Sequence, residues 1–315
     1  MTPEHRAHLV KTRARALGFD AAGVTDLSPP AHAHQLNRWL DQELAGTMRY
    51  MHRQRDRRLR PAEILPGATR AVVVTKHYLT PEPPSRAGTG RVAKCARGRD
   101  YHAALRGPLT DLADYVRSLG PEDAICTAYC DAGPVPEREL AQRAGIGWIG
   151  KNTMLIDPER GSFSFIATVL TDVDLAIDLP FDADRCGTCR RCLDACPTGA
   201  FPSDHVLDSR RCISYLTIEH RGPIDFAQGQ ALNGWVFGCD ICQDVCPWNL
   251  KFARAPDDQM LAPDAEMAAL NLRELADLSD EEFERRFGHT ALRRAGPDGI
   301  RRNARLGLRK ESADT

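Results

Sequence analysis

Four cysteines spaced Cys186-x2-Cys189-x2-Cys192-x3-Cys196 and closed by Pro197 constrain this chain more than any other feature. Such tight spacing lets one loop wrap a cube of iron and sulfide, with three thiolates on one cluster and the fourth reaching its neighbour. A second motif, Cys239-x2-Cys242-x3-Cys246-Pro247, lacks the leading cysteine, and the isolated Cys212 is the natural replacement. Crossover ligation then assigns Cys186, Cys189, Cys192 and Cys246 to one 4Fe-4S cluster, and Cys196, Cys212, Cys239 and Cys242 to a second. Two C-x2-C pairs can also hold zinc, but an uninterrupted four-cysteine run ending in proline is a cube spacing rather than a ribbon spacing. Cys95, Cys126 and Cys130 remain. These read as small buried hydrophobes, because the x3 spacing of the last pair has no third ligand nearby.

Eleven cysteines in one chain need a compartment that suits them. The start, Met1-Thr2-Pro3-Glu4-His5-Arg6, leads into a polar stretch without the apolar core of a secretion signal. The longest apolar runs, Ala71–Val74 and Phe165–Leu170, are strand-sized and too short for a bilayer. A cytoplasmic monomer with no membrane partner is the expectation, and there metal binding is a commoner use of cysteine than disulfides. The net charge of −1 gives no global pull toward nucleic acid. Two local stretches do: His52 to Arg60, and a run from Arg293 through Arg301, Arg302, Arg305, Arg309 and Lys310. Each is either a solvated face or a surface that tracks phosphates.

Hydrophobic periodicity predicts a helix through Leu9, Val10, Ala14 and Leu17, ended by Gly18, and another through Leu36, Trp39, Leu40 and Leu44. A buried strand is predicted at Ala71–Thr75, a helix from Ala103 to Leu119, a strand from Ala124 to Tyr129, and a short helix from Glu137 to Ala144 closed by Gly145. Met154–Ile156 and Phe163–Leu170 read as strands paired around an Asp157–Gly161 turn. The glycines of Gly145-Ile146-Gly147-Trp148-Ile149-Gly150-Lys151-Asn152 permit close backbone approach but do not make a P-loop. This mixture indicates an α/β or α+β layered structure over the first 180 residues. Farther on, Ser279 can cap a helix, with Glu282 completing a capping box and Leu278 with Phe283 a staple.

Two adjacent clusters form a wire for single electrons, and a wire needs a terminus. A second cofactor would make the chain a reductase, whereas a docking surface alone would make it a ferredoxin-type electron carrier. The residues bear on this choice. Leu65-Pro66-Gly67, Gly98-Arg99-Asp100-Tyr101-His102, Asp131-Ala132-Gly133-Pro134-Val135, the Ala144–Asn152 stretch, the eight cluster cysteines, Cys212–Glu219 and Arg301-Arg302-Asn303 together resemble the cobalamin-dependent epoxyqueuosine reductases. The resemblance spans nearly the whole chain.

It implies a cobalamin-binding α/β (α+β) domain over residues 1–180, a ferredoxin-like module with two 4Fe-4S clusters over 181–252, and a short helical C-terminal segment over 253–315 packed on the core. It also implies reduction of epoxyqueuosine to queuosine at the wobble position of tRNA, fed by an external low-potential donor of flavodoxin or ferredoxin type. Asp131 matches the acid that gives the substrate a proton, and a nearby apolar corrinoid would raise its pKa. Arg58, Tyr101, His102, Lys151, Asn152 and Ser214 fall in stretches similar to corrinoid-contacting segments. Two departures stand out: Cys95 stands where an aromatic residue is expected, and the helical repeat extension of some members is missing. The alternative enzyme class, a dehalogenase-like corrinoid reductase of small molecules, usually carries a twin-arginine signal that this sequence lacks.

Overall fold

Alternation along Ala71-Val72-Val73-Val74 sends neighbouring side chains to opposite faces of a sheet, and here both faces are covered. The structure is a computed structural model that describes residues 1–83, 86–256, 259–268 and 270–314. Its strands are β1 (Ala21–Asp26), β2 (Arg70–His77), β3 (Thr89–Val92), β4 (Cys126–Cys130), β5 (Trp148–Ile149), β6 (Leu155–Ile156), β7 (Ser164–Thr171), β8 (Trp235–Phe237) and β9 (Leu270–Asn271). The main sheet runs β1-β2-β7-β4 with every neighbouring pair antiparallel, and Val72 stands opposite Val169. On one face, Val72, Val74, Ala167 and Val169 pack beneath helices Pro3–Ala16 and Tyr101–Ser118 through Val10, Leu105, Leu112 and Val116. On the other, Ala71, Val73 and Leu170 meet Leu140 and Ala141 of helix Glu137–Arg143. The architecture is mixed α/β.

Strands 155–156 and 163–170 do not pair with each other. β6 pairs with β5, Trp148 opposite Ile156, while β7 lies inside the main sheet between β2 and β4. β7 is apolar on both faces, as a central strand must be. The glycine stretch lets β5 lie against β6, since a Cβ at Gly147 would collide with the Ile156 carbonyl. The Asp157–Gly161 turn does form, with the Asp157 N–H on the Gly161 oxygen at 2.9 Å. The helix expected to reach Leu44 ends at Asp41, because Glu43 and Gly46 adopt left-handed backbone conformations. β1, rich in small residues, carries no periodic signal.

A second sheet ties distant parts of the chain together: β3 pairs in parallel with β8 and antiparallel with β9. Helix Asp280–Phe287 starts as expected, with the Ser279 hydroxyl accepting from the Glu282 N–H, and Leu278 and Phe283 share one buried cluster. The Glu282 carboxylate bonds to Arg285. In helix Gly296–Asp314, the buried Asn303 amide donates to the Thr217 and Val236 carbonyls at 3.0 and 2.8 Å. Arg302 donates to the Leu216, His220 and Gly222 carbonyls. With Arg294 on Glu219 and Arg301 on Asp280 and Asp298, much of the second basic stretch holds the C-terminal segment in place. Asn303→Leu strands two buried carbonyls and is expected to cost about 3 kcal/mol of stability; a lowered urea midpoint with unchanged slope checks it. Among the described residues, no helix is long and apolar enough to cross a membrane.

Candidate redox site

Two short helices, Arg191–Asp194 in the first cysteine motif and Ile241–Asp244 in the second, pack against each other and bring the motifs together. Cys186, Cys189, Cys192 and Cys246 line one cavity of about 180 Å3, beside Asn152 and Trp248. Burial, followed by the neighbouring Cys186 and Cys246, pushes the Cys192 thiol up to about 11. The remaining thiols form a second set. Burial, and after it Cys212, Asp240 and Cys196, raise Cys239 to about 12, and burial with Cys212, Cys239 and Cys192 raises Cys242. Nearby iron would reverse these shifts by stabilising thiolate. N–H groups already face the sulfurs: Ala200 N lies 3.3 Å from Cys196 Sγ, and the buried Trp148 indole 3.5 Å from Cys186 Sγ. All eleven cysteines are free thiols, and Cys126 and Cys130 pack at the edge of the main core.

A second cluster of functional side chains forms where β4 ends. Asp131 has φ 48°, a left-handed conformation that aspartate tolerates better than most residues. Its Oδ2 accepts from the Tyr101 hydroxyl at 2.5 Å. Tyr101 opens its helix behind the Asp100 cap and is sandwiched between Phe165 and His102, with ring centroids 4.0 and 4.1 Å away. Burial, then the Asp131 charge, raises the Tyr101 pKa, so the phenol remains a donor. His102 Nδ1 lies 2.8 Å from Asp100 Oδ1, which selects the Nδ1–H tautomer. Arg58, in helix Arg55–Leu59, donates to the Val135 and Gly133 carbonyls, both at 3.3 Å, while its Nε is buried without a partner among the described residues. Glu137 Oε1 accepts the Asp131 N–H at 2.9 Å. Burial and the Asp131 charge push the Glu137 carboxyl up to about 8.

Cys95 stands between the two groups. It borders two apolar clusters, one that Cys212 and Cys239 also border and one that contains Phe163 and is bordered by Tyr101. Its thiol is raised to about 12 by burial, then by Asp240 and Asp131.

Of the residues singled out from sequence, Arg58, Tyr101, His102 and Asp131 therefore share one cleft. Lys151 and Asn152 stand at the thiol cavity instead; Lys151 Nζ donates to the Gly187 carbonyl at 2.7 Å and pairs with Asp204 at 3.0 Å. The Ser214 N–H faces Cys212 sulfur. Tyr50, Glu137 and the Arg294–Glu219 pair escaped sequence reasoning. After burial, the Tyr50 hydroxyl feels Glu219, Arg294, Asp131 and Arg58, and Arg294 lies over its ring at 5.8 Å, so these residues border the same cleft. They are far apart in sequence, and Glu137 looks like an ordinary acidic helix start. In the first basic run, Arg55 pairs with Asp41 and Arg60 with Glu63, while Arg53 and Arg57 are exposed.

Residues 58–132 match the family described as epoxyqueuosine reductase QueG, DUF1730, and residues 185–249 match a 4Fe-4S double cluster binding domain. The epoxyqueuosine reductase of Gloeobacter violaceus is 42% identical, covering 95% of this chain and 94% of its own. That of Pseudomonas aeruginosa is 39% identical over 97% of this chain and 86% of its own. A crystal structure of epoxyqueuosine reductase with a tRNA-TYR epoxyqueuosine-modified stem loop superposes with a TM-score of 0.86 at 32% identity, covering 96% of this chain and 80% of that one. Similarity of this degree along nearly the whole length means that the chain belongs to the epoxyqueuosine reductase family.

Proposed function

We propose that this protein reduces epoxyqueuosine in tRNA to queuosine, with electrons passing through two 4Fe-4S clusters to cobalamin. The observation that carries the reading is that Cys95 borders both the apolar cluster shared with the cluster thiols Cys212 and Cys239 and the one shared with Tyr101, whose hydroxyl is bonded to Asp131. The modified stem loop in the related crystal structure supports the substrate. Residues 1–180 would carry the cleft, 181–252 the clusters, and 253–315 the helical segment that braces both.

The residues present fit both kinds of cofactor. Cys186, Cys189, Cys192 and Cys246 surround a cavity suited to one cube, and Cys196, Cys212, Cys239 and Cys242 would hold the other. Arg58, whose Nε lacks a partner among the described residues, would hold cobalamin together with Tyr101 and His102, while Lys151, Asn152 and Ser214 would face it from the cluster side. When bound and reduced, cobalamin supplies a strong cobalt nucleophile, and the clusters supply single electrons from an external flavodoxin- or ferredoxin-type donor.

Opening an epoxide to an alkene takes two electrons and two protons and releases water. Asp131 would give a proton to the epoxide oxygen. Tyr101, held protonated, donates its hydroxyl hydrogen bond to the carboxylate left behind, which stabilises that charge. The stacked Phe165 and His102 rings fix the phenol in place.

Expression of the protein in bacteria whose tRNA accumulates epoxyqueuosine tests the reading: queuosine should appear in their tRNA, and persistence of epoxyqueuosine with the protein present and cluster-loaded would refute it. The exposed Arg53 and Arg57 are the parts of the first basic run free to face phosphates. Reversing both to Glu is expected to weaken stem-loop binding and to flatten the salt dependence by about one to two charges. An unchanged slope would make this stretch a solvated face.

A further inference from the structure

The turn that carries Asp131 is held from three directions. Tyr101 holds the carboxylate, Arg58 holds the Gly133 and Val135 carbonyls, and Glu137 holds the Asp131 N–H. Only the last contact acts at the backbone of Asp131 itself, where the left-handed conformation must be maintained. Such a conformation in a non-glycine residue persists when surrounding contacts over-determine it. The Glu137 side chain comes from the first turn of helix Glu137–Arg143, which is anchored on the sheet through the buried Leu140 and Ala141. A rigid element thus reaches back across the turn to its first residue.

We propose that Glu137 is a positioning residue for Asp131, its carboxyl pinning the aspartate backbone so that the carboxyl of Asp131 stays on Tyr101 and aimed into the cleft. This rests on the proton-donor role given to Asp131 above. The groups that face Glu137 are Asp131 and Cys130 from the end of β4, Arg58 from helix Arg55–Leu59, and Arg138 beside it. Burial and Asp131 outweigh the hydrogen bond from the Asp131 N–H and the two arginines, so Glu137 holds its proton to about pH 8. A carboxyl raised in the folded state contributes stability that is full below its unfolded value and is lost as pH rises through the folded one. Above about pH 8 the ionised carboxylate accepts the Asp131 N–H more strongly, but its burial and the neighbouring Asp131 outweigh that gain, so the turn loses stability.

The test compares wild type, Glu137→Ala and Glu137→Gln, each cluster-loaded. Amide hydrogen exchange over residues 130–136 is measured before and after cobalamin is added, and single-turnover rates on an epoxyqueuosine-bearing stem loop are measured across pH. In Glu137→Ala the turn should lose protection, and the single-turnover rate at saturating protein should fall at least ~10-fold with the half-saturating concentration changed less than ~2-fold. Glu137→Gln should keep protection and most activity at neutral pH, and should lack the decline that wild type shows above about pH 8. Unchanged exchange and an unchanged single-turnover rate in Glu137→Ala would overturn the proposal, as would a Glu137→Gln profile identical to wild type. If Glu137→Ala fails to fold, the Glu137→Gln profile decides alone. Absence of turnover in wild type would count against the reductase reading, while hydrogen exchange would still decide whether Glu137 holds the turn.

Discussion

Asp131→Ala is expected to slow conversion of epoxyqueuosine by ~10²- to 10⁴-fold, the usual contribution of a positioned general acid. Iron content and cobalamin binding should remain at wild-type levels. The expectation follows from geometry: Asp131 meets Tyr101 at its carboxylate and Glu137 at its N–H, and the residue is exposed. Asp131→Asn separates proton donation from shape, because the amide still accepts from Tyr101 but cannot act as the acid. Spectrophotometric cobalamin titration combined with single-turnover rates checks both variants. Loss of cobalamin binding in Asp131→Ala would make the residue part of the cofactor's seat.

Removal of one thiolate from either set should be equally severe, and the pattern of loss identifies the partners. Cys246→Ala is expected to remove the cluster that Cys186, Cys189 and Cys192 share, leaving about half the iron, because the cavity is lined by those four thiols. Adding Cys186→Ala to it should remove little more, since both act on one cube. Adding Cys196→Ala should remove the rest. Iron and sulfide analysis with low-temperature electron paramagnetic resonance of the reduced protein reads this directly. Full loss of iron in Cys246→Ala, with additive behaviour of Cys186→Ala, would break the crossover assignment. Either single variant should bring turnover close to background, because a broken wire leaves the cleft without electrons.

The cluster thiols were legible in the sequence because iron–sulfur ligation imposes short fixed spacings. The main sheet was legible wherever a strand is apolar on both faces, as at Ala71–Thr75, or caps and turns mark its ends. β1 was silent because its small residues are chosen for close packing; a Cβ at Gly23 would collide with the Ala144 carbonyl. The pairing of β6 with β5 was missed because local alternation names a strand but not its neighbour. The cleft was half legible. Asp131, Tyr101, His102 and Arg58 converge, yet they come from three separate parts of the chain, and the resemblance rather than any spacing drew attention to them. Tyr50, Arg294 and Glu219 border the same cleft through tertiary contacts alone. The second basic stretch shows the opposite case, since its arginines look like a phosphate surface in sequence but cap carbonyls and carboxylates in the fold.

The most direct test is nucleoside mass spectrometry of tRNA bearing epoxyqueuosine, incubated anaerobically with cluster-loaded protein and a low-potential reductant, with and without cobalamin. Conversion to queuosine only when cobalamin is present is the predicted result; conversion without cobalamin, or none by protein with both clusters intact, would contradict it.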